Sequence, residues 1–377
     1  MSAGELVLER PASAEEVAAA LSQGRTIQPV GGRTKIAWGA IGPEPEVELS
    51  TERLDALVEH NEGDLTAVLQ AGMRLGDAQD SFARAGQRLS IDPPDPDARA
   101  TIGGVVATAD SGPLRHRYGG IRDLILGVQV ALPDGTVARA GSRVIKNVAG
   151  YDLAKLMCGA FGTLGVVCEV IVRLHPQPTE PLTIVGLGAG AEPLARAARA
   201  ISSLPVELEA LDVRWDGESG AILAQAAGRA AGATAEAVTD VLRAEGRDVA
   251  LVEDDEQLWA LQRARQRADD REEADVVRVS FPPAELERVL MAAPRAVARA
   301  GAGLAWVATS PDADALVALR AAVAPCSCVL VDAPDEVRRA VDVWGLGEGP
   351  ELVLMERVKA RFDPDGVCNR GRFVGGL

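Results

Sequence analysis

The chain has 377 residues, of which 47% are hydrophobic and 25% are charged. One hydrophobic core rarely serves so long a chain, so we expect two domains, and the composition is too apolar for a disordered protein. Acidic residues outnumber basic residues by 55 to 39, which gives a net charge of −16. Such a surface repels phosphate groups, and this argues against nucleic-acid binding and against an anionic membrane as partner.

The N-terminus and the cysteines bear on the compartment. Residues 1–10 contain no basic region followed by an apolar run, and no apolar stretch is long enough to span a bilayer, so we expect a cytoplasmic protein. Five cysteines without paired spacing are typical of a reducing compartment. Cys326 and Cys328 have no second Cys or His pair nearby to complete a metal site, so we expect free thiols and no metal.

The first 180 residues are predicted to form short strands, glycine-rich turns and few long helices. Ser13 and Glu16 form a capping box before an alanine-rich helix, which Gly24 ends. A strand follows at Thr26–Pro29. Further strands are predicted at 65–69, 127–132 and 165–174.

After residue 178 the pattern changes to strands that alternate with helices rich in Ala, Leu and Arg. Strands are predicted at 182–187, 206–213, 249–252, 276–281, 304–308 and 329–331. Helices are predicted at 193–203, 233–244, 257–269, 283–300 and 312–322. This alternation indicates a second α/β or α+β domain, and two related halves of one helix-backed sheet are one possible arrangement.

Three glycine-containing segments stand beside apolar strands. They are Pro29–Lys35, Thr101–Thr108, and Lys146–Leu153 leading into Gly159–Val167. Consecutive glycines let backbone N–H groups converge on an anion, and Lys35 adds charge, which is how loops bind phosphates. A tight turn explains the first segment equally well. Three such segments in one domain favour a ligand site.

Their order and spacing across residues 5–178 resemble the flavoproteins of the vanillyl-alcohol oxidase and para-cresol methylhydroxylase (PCMH) type. This resemblance implies an α+β fold: a PCMH-type FAD-binding domain of two α+β subdomains at 1–178, an α+β cap- or substrate-like domain at 179–350, and a C-terminal segment at 351–377 that returns to the FAD domain. The resemblance rests on Gly31–Lys35, Thr101–Gly104, Tyr118–Asp123 with Leu126–Gly127, Gly162–Val167, and the closing run Lys359–Arg372.

The resemblance also implies FAD as cofactor and suggests which residues bind it. The first loop would hold the pyrophosphate through backbone amides, Gly103, Gly104 and the Ser111–Gly112 turn would lie along the flavin and ribityl chain, and Gly165–Val167 would lie near the adenine or the ring. The implied cofactor-binding residues are Pro29, Val30, Gly31, Gly32, Arg33, Thr34, Lys35, Pro93, Thr101, Gly103, Gly104, Ala107, Ser111, Gly112, Tyr118, Gly162, Gly165, Val166 and Val167.

Two residues depart from the family pattern, and one expected residue type is missing. Arg33 stands where the family usually has glycine, which costs about 1 kcal/mol if the position needs a positive φ. Arg370 replaces the proline of the usual Asn-Pro-Gly. No histidine lies near the loop for covalent attachment, and His60 and His116 are the only other histidines before His175, so we expect non-covalent FAD.

Histidines also bear on the reaction that the resemblance implies. Members that dehydrogenate D-2-hydroxy acids use histidines of the substrate domain, whereas this chain has none after His175. In this respect the sequence is similar to the smaller flavin subunit of glycolate oxidase, which implies electron transfer beside a larger catalytic FAD subunit and an iron–sulfur subunit. A stand-alone 2-hydroxy acid dehydrogenase and a non-catalytic scaffold are the alternatives.

No catalytic residue is identified from the sequence. Arg115, Arg117 and Arg122 are candidate cations for a substrate carboxylate. The stretch Asp254–Glu256 and Tyr151 are weaker candidates for a base at neutral pH.

A competing interpretation places a nicotinamide site in the second domain. Gly186–Ala191 matches the pattern G-x-G-x-x-A after a predicted strand, with Glu207 and Glu209 about 20 residues on. Pro193, early in the next helix, favours an ordinary strand-to-helix turn instead. The second-domain tryptophans are predicted to pack in the core or at an interface: Trp215, Trp259, Trp306 and Trp344.

Overall fold

The computed structural model describes residues 6–142, 153–268, 274–347 and 349–377, so most of the predicted segment 146–153, including Tyr151, lies outside the described residues. The strands are β1 (Val7–Glu9), β2 (Ile27–Val30), β3 (Val47–Ser50), β4 (Leu57–Asn61), β5 (Thr66–Gln70), β6 (Gln87–Arg88), β7 (Ile125–Ala131), β8 (Val137–Gly141), β9 (Val166–Arg173), β10 (His175–Pro176), β11 (Leu182–Ala189), β12 (Ala210–Trp215), β13 (Ser219–Ala226), β14 (Asp248–Val252), β15 (Asp275–Ser280), β16 (Arg295–Arg299), β17 (Leu304–Thr309) and β18 (Ser327–Asp332).

The helices are mostly short in the N-terminal half and longer in the C-terminal half. They are α1 (Ala14–Leu21), α2 (Leu75–Ala83), α3 (Ile102–Thr108), α4 (Arg115–Tyr118), α5 (Ile121–Leu124), α6 (Leu153–Met157), α7 (Ala191–Ser202), α8 (Ala231–Ala244), α9 (Glu256–Ala264), α10 (Leu286–Ala292), α11 (Ala313–Val323), α12 (Asp335–Ala340) and α13 (Pro350–Phe362). No helix in the described ranges is both long and apolar enough to cross a membrane.

Two small sheets and the two-stranded antiparallel pair β6–β10 make up the N-terminal half, as the α+β expectation required. A three-stranded parallel sheet, order β1-β3-β2, lies beside α1, which begins at the predicted cap Ser13. A five-stranded sheet, order β4-β5-β9-β7-β8, is antiparallel throughout and packs against α2 and α3. Each sheet has its own apolar core, because each buries one face against helices.

An eight-stranded antiparallel sheet forms the C-terminal half, in the order β14-β11-β13-β12-β16-β17-β15-β18. Within this sheet, strands β11–β14 are numbered 1 to 4 along the chain and lie side by side in the order 4-1-3-2. Strands β15–β18, numbered in the same way, lie in the mirror order 2-3-1-4. The sheet therefore consists of two βαββαβ halves that meet where β12 pairs with β16. Helices α7, α8, α10 and α11 cover one face, with the largest apolar core between them and the sheet.

The other face of this sheet lies against the N-terminal half. Trp38, from the loop after β2, packs with Val276, Val297 and Trp306 of the sheet. The four second-domain tryptophans are all at most 7% exposed, which confirms their prediction as packing residues.

One predicted helix is wrong in its second half. Residues 283–300 were expected to be helical, but the helix ends at Ala292 and residues 295–299 form β16. Pro294 explains the break, since it lacks an N–H donor and restricts the residue before it to extended backbone. Side chains of this strand alternate between the two faces of the sheet. Ala296 and Ala298 face the helices, and Val297 and Arg299 lie on the other face.

The nicotinamide interpretation is wrong for a geometric reason. Gly186 and Gly188 lie inside β11, paired with Ile222 and Gly220 of an antiparallel neighbour, whereas a dinucleotide fingerprint needs a parallel βαβ turn. A Cβ at Gly186 would stand 2.6 Å from Leu242, so this glycine allows α8 to pack closely on the strand. The strand-to-helix junction lies only at Gly190, directly before α7.

The C-terminal segment returns to the first sheet. The backbone N–H of Asn369 donates to O of Ile27 at 2.8 Å. Lys359 is buried and donates to Oδ2 of Asp363 and to O of Thr163, both at 2.6 Å. These bonds fix the closing segment beside the loop that follows β2.

Candidate cofactor-binding site

The loop Gly31–Lys35 begins where β2 ends and lies against the start of α3. Gly32 has no room for a side chain, because a Cβ there would stand 1.5 Å from O of Arg99. Thr101 caps α3 by accepting a hydrogen bond from the Gly104 N–H at 3.2 Å. The glycines thus allow the loop to approach the helix start so closely that only a narrow cleft separates them.

The backbone N–H groups of this loop are suited to bind an anion. Within the part of the chain that the structure describes, no acceptor receives a hydrogen bond from the backbone N–H of residues 31–35. Consecutive free N–H groups in a turn form a concave donor surface that binds phosphate oxygens. These N–H groups are compatible with the predicted pyrophosphate loop, whose role toward FAD stays a prediction.

A first, partly open cleft runs along this loop. Its walls mix backbone donors with the side chains of Lys35, Thr101 and Thr108. Phe161, Asn369 and Arg372 complete the far wall.

A second cleft continues from the first, since both are lined by Pro29, Gly31, Gly104 and Ala107. Its lining is largely apolar. The two clefts together combine a polar loop with an apolar extension, as cofactor sites do. The apolar lining residues are Val30, Ala71, Met157, Ala160, Val166 and Val167.

Most of the residues predicted from the sequence line these clefts. Pro93, Ser111, Gly112 and Tyr118 line neither of them. The first cleft contains Pro29, Gly31, Gly32, Arg33, Thr34, Lys35, Thr101, Gly104 and Ala107. The second contains Pro29, Val30, Gly31, Gly103, Gly104, Ala107, Gly162, Gly165, Val166 and Val167.

Arg33 adopts the conformation that glycine would favour. Its φ is +60°, in the left-handed region that costs an ordinary residue about 1–2 kcal/mol. Its guanidinium bonds both carboxylate oxygens of Glu48, at 3.1 and 2.5 Å. This bidentate pair raises the pKa of Arg33 and lowers that of Glu48. Glu48 therefore offsets the charge of Arg33 at the edge of the cleft.

Lys35 links the loop to the next predicted segment. Its ammonium group is buried, lies 3.2 Å from Oδ2 of Asp110 and donates to O of Pro94 at 3.1 Å. The lysine thereby holds the Asp92–Pro94 and Asp110–Gly112 segments together, and Asp110 offsets its charge.

The segment 110–112 is also the contact point of the second domain. Gln266 donates to O of Ser111 at 3.0 Å, and Arg299 donates to O of Gly112 at 2.7 Å. Ser111 and Gly112 thus lie between the loop of Lys35 and the eight-stranded sheet. Their role toward FAD remains a prediction.

Tyr118 lies in a different cluster between the two halves of the chain. Its hydroxyl donates to Oε2 of Glu209 at 3.0 Å, and its ring contacts His175 at a tilt of 54° with centroids 4.6 Å apart. Arg88 and Arg117 both bond the buried Glu209 carboxylate, at 2.5 Å each. Arg117 is therefore paired with the carboxylates of Glu209 and Glu207. Glu209 has a structural role instead of binding a ribose.

None of the three histidines lines either cleft. His60 bonds Gln87 at 2.9 Å and packs edge-on against Phe82. His116 lies beside Gly301, and burial lowers its pKa. Burial and nearby arginines lower the pKa of His175 to about 4, so this ring is neutral at physiological pH.

Of the other residues weighed for chemistry, Asp255 has structural partners. Asp255 accepts from Thr183 at 2.5 Å and from Gln225 at 2.8 Å. Arg122 is exposed. In the described part of the chain no group of three His, Cys, Asp or Glu residues could hold a metal ion.

Asn369 and Arg372 were missed as site residues. Asn369 donates to O of Phe161 at 2.6 Å, and its own φ is +45°. Arg372 donates to O of Trp38 at 2.9 Å. The family-like closing run was the available signal, but nothing in a linear sequence shows that it returns to the first loop.

Comparison with known proteins agrees with this geometry. Residues 6–141 match the family model described as FAD binding domain. D-lactate dehydrogenase of Archaeoglobus fulgidus is 37% identical over 182 residues, covering 47% of this chain and 40% of that protein. Glycolate oxidase subunit GlcD of Bacillus subtilis is 35% identical over 192 residues, covering 49% and 40%.

A second glycolate oxidase subunit also matches. Glycolate oxidase subunit GlcE of Escherichia coli is 37% identical over 128 residues, covering 34% of this chain and 37% of that protein. These matches span less than half the length of each curated relative.

The fold has a counterpart among solved structures. Alkyldihydroxyacetonephosphate synthase superimposes with a TM-score of 0.73 over 96% of this chain and 75% of that chain, at 18% identity, which shows the fold alone. The matched domain, the free loop amides and the paired clefts agree on one cofactor. Residues 6–141 thus match an FAD binding domain, and the matched relatives are named as a dehydrogenase and as subunits of an oxidase.

Proposed function

We propose that this chain is the FAD-binding subunit of a glycolate oxidase-like complex that oxidises a small 2-hydroxy acid. The observation that carries the proposal is the cleft pair, because its free loop amides and apolar end suit a diphosphate joined to a ring. Relatives named for D-lactate, glycolate and D-2-hydroxyglutarate support the substrate class.

The distribution of titratable groups supports a subunit role over a stand-alone dehydrogenase. Oxidation of a 2-hydroxy acid requires a base for the hydroxyl proton and a cation for the carboxylate, while bound FAD accepts the hydride. This chain has no histidine after His175. We therefore propose that a larger FAD-binding subunit supplies the base and that an iron–sulfur subunit carries electrons onward.

The same proposal includes a division of the chain. Residues 1–178 would bind FAD, residues 179–350 would form the cap-like domain, and residues 351–377 would complete the FAD domain. Pro93, Ser111, Gly112 and Tyr118 would act through the shape of the site, since they lie outside the two clefts.

Two measurements test the proposal. Acid precipitation of the purified yellow protein should release FAD into the supernatant, because no histidine lines either cleft. Flavin that stays in the pellet would contradict non-covalent binding, and a colourless protein that cannot be reconstituted with FAD would favour the scaffold alternative.

The second measurement separates the two enzymatic alternatives. The FAD-loaded chain is mixed anaerobically with glycolate or D-lactate, first alone and then with the larger flavin subunit and the iron–sulfur subunit. We expect dye reduction only with the complete set. Turnover by the chain alone in the ordinary enzymatic range, on the order of 1 to 1000 per second, would establish a stand-alone dehydrogenase.

A further inference from the structure

Three neighbouring strands of the eight-stranded sheet present buried donors that have no acceptor. They are Nε of Arg278 on β15, Nε1 of Trp306 on β17 and a terminal nitrogen (Nη1) of Arg299 on β16, unpaired within the described ranges. Arg278 and Trp306 are register partners, and the Arg299 guanidinium stacks 4.2 Å above the Trp306 ring. A buried donor without an acceptor is costly, so three together point to a ligand.

These donors face the FAD-binding half of the chain. Val276, two residues before Arg278, packs with Trp306 and with Trp38 of the FAD domain, whereas Val277 and Val279 pack in the core on the helix side. Arg299 reaches O of Gly112, the segment implied to lie along the flavin. The donors are therefore on the interface side of the sheet, yet neither Arg278 nor Trp306 lines the cofactor clefts.

The charged groups around the donors give this region a net positive charge. Asp110 is the acidic group that acts on Arg278, but it already lies 3.2 Å from Lys35. Arg115 adds a further positive charge beside Arg278 and Arg299. Two further carboxyl groups, Asp92 and Asp212, lie near Arg299. Burial raises the pKa of Asp92 to about 7 and also raises that of Asp212, which favours the uncharged form of each.

The composition of the site defines the ligand class. The Arg278 guanidinium, whose Nε has no partner among the described residues, and the adjacent indole N–H are pure donors, and a planar carboxylate is the acceptor that matches them. We propose that Arg278 and Trp306, with Arg299 stacked behind them, bind the carboxylate of a small organic acid between the sheet and the FAD domain. The choice of an organic acid rests on the proposed function.

This assignment differs from the cations suggested by the sequence. Arg117 is bonded to Glu207 and Glu209, and Arg122 is exposed. Arg115 remains near the site as a source of positive potential. Arg278 was not singled out because nothing in a β-strand sequence shows which face meets another domain.

Oxalate is the probe, because it carries the carboxylate but has no hydrogen to be removed as hydride. FAD-loaded full-length protein is titrated with oxalate, and binding is followed by the flavin difference spectrum and by calorimetry. Arg278→Gln should weaken binding about 10- to 100-fold, since it removes a charged donor. Trp306→Phe should weaken it several-fold, and Arg278→Lys should keep part of the affinity.

Arg295→Gln is the matched control, because Arg295 is an exposed arginine on the same sheet. It should bind oxalate as the unmodified protein does, and all variants should retain FAD. If Arg278→Gln fails to fold, Arg278→Lys and Trp306→Phe decide the outcome.

Three results would overturn the proposal: no saturable oxalate binding to the unmodified protein, unchanged affinity in the Arg278 variants, or loss of FAD from them without an oxalate effect. The last would show that the donors serve the cofactor. Glycolate-dependent reduction by the assembled complex is measured separately. Reduction without oxalate binding by this chain would reject this site and leave the proposed function standing.

Discussion

The indole nitrogen of Trp38 donates a hydrogen bond of 3.0 Å to Oδ1 of Asp332, and this bond joins the loop after β2 to the last strand of the eight-stranded sheet. Both residues are about 1% exposed. Arg267 bonds Oδ2 of the same carboxylate at 2.5 Å and lies over the Trp38 ring. One buried carboxylate thus fixes the cofactor loop relative to the second domain.

Trp38→Phe should destabilise the protein by about 1–3 kcal/mol, because it removes a donor from a buried carboxylate. Denaturant unfolding of the FAD-free protein measures the change. Trp306→Phe is the matched control: it deletes an indole N–H that has no acceptor among the described residues, so it should cost less. Equal losses in the two variants would contradict the importance of the Trp38–Asp332 bond.

Gly104→Asp should abolish or severely weaken FAD retention. Gly104 lines both clefts, and a Cβ there would already stand 3.1 Å from Oγ1 of Thr101, so the carboxylate would enter the cleft beside a diphosphate. The ratio of flavin to protein after desalting measures retention. Gly76→Asp is the control, since that position on α2 has open space around it. Full flavin content in the Gly104 variant would remove this residue from the site.

Arg33→Gly should be more stable than Arg33→Ala by about 1 kcal/mol. Both variants lose the pair with Glu48, but only alanine keeps the strain at φ +60°. Arg357, exposed within α13, should show the opposite order, because glycine is the poorer helix former. Chemical unfolding of the four variants tests the contrast, and the same order at both positions would contradict it.

Asp92 should make stability fall as the pH rises from about 4 to 7. Burial raises its pKa to about 7, so the folded chain keeps a proton that the unfolded chain loses in this window. The free energy of unfolding should then fall by at most about 1.4 kcal/mol per pH unit from this group. Above pH 7 the penalty is complete and constant.

Asp92→Asn should flatten this profile and raise stability at pH 8, since the amide oxygen can still accept from the N–H of Leu114. Part of the slope should persist because burial also raises the pKa of Asp275 to about 7. The exposed Asp97 provides the control, as Asp97→Asn. A variant whose profile matches that of the unmodified protein would contradict a protonated Asp92.

The sequence by itself determined the cofactor and most of the cleft lining. Glycines at 31, 32, 103 and 104 leave backbone N–H groups accessible in any fold that brings them together, and their order along the chain identifies the FAD domain. It also determined the strand-rich first half and most helices of the second, because those depend on local periodicity and caps such as Ser13.

Only the tertiary structure decided which charges are available. Arg117, Arg115 and Arg122 look alike in the sequence, yet one is bonded to glutamates, one lies near a buried cluster and one is exposed. Tertiary pairing also turned 295–299 into a strand and placed Asn369 at the first cleft. Such outcomes depend on contacts between residues far apart in the chain, 92 positions for Arg117 with Glu209 and 187 for Arg299 with Gly112, and local sequence cannot encode them.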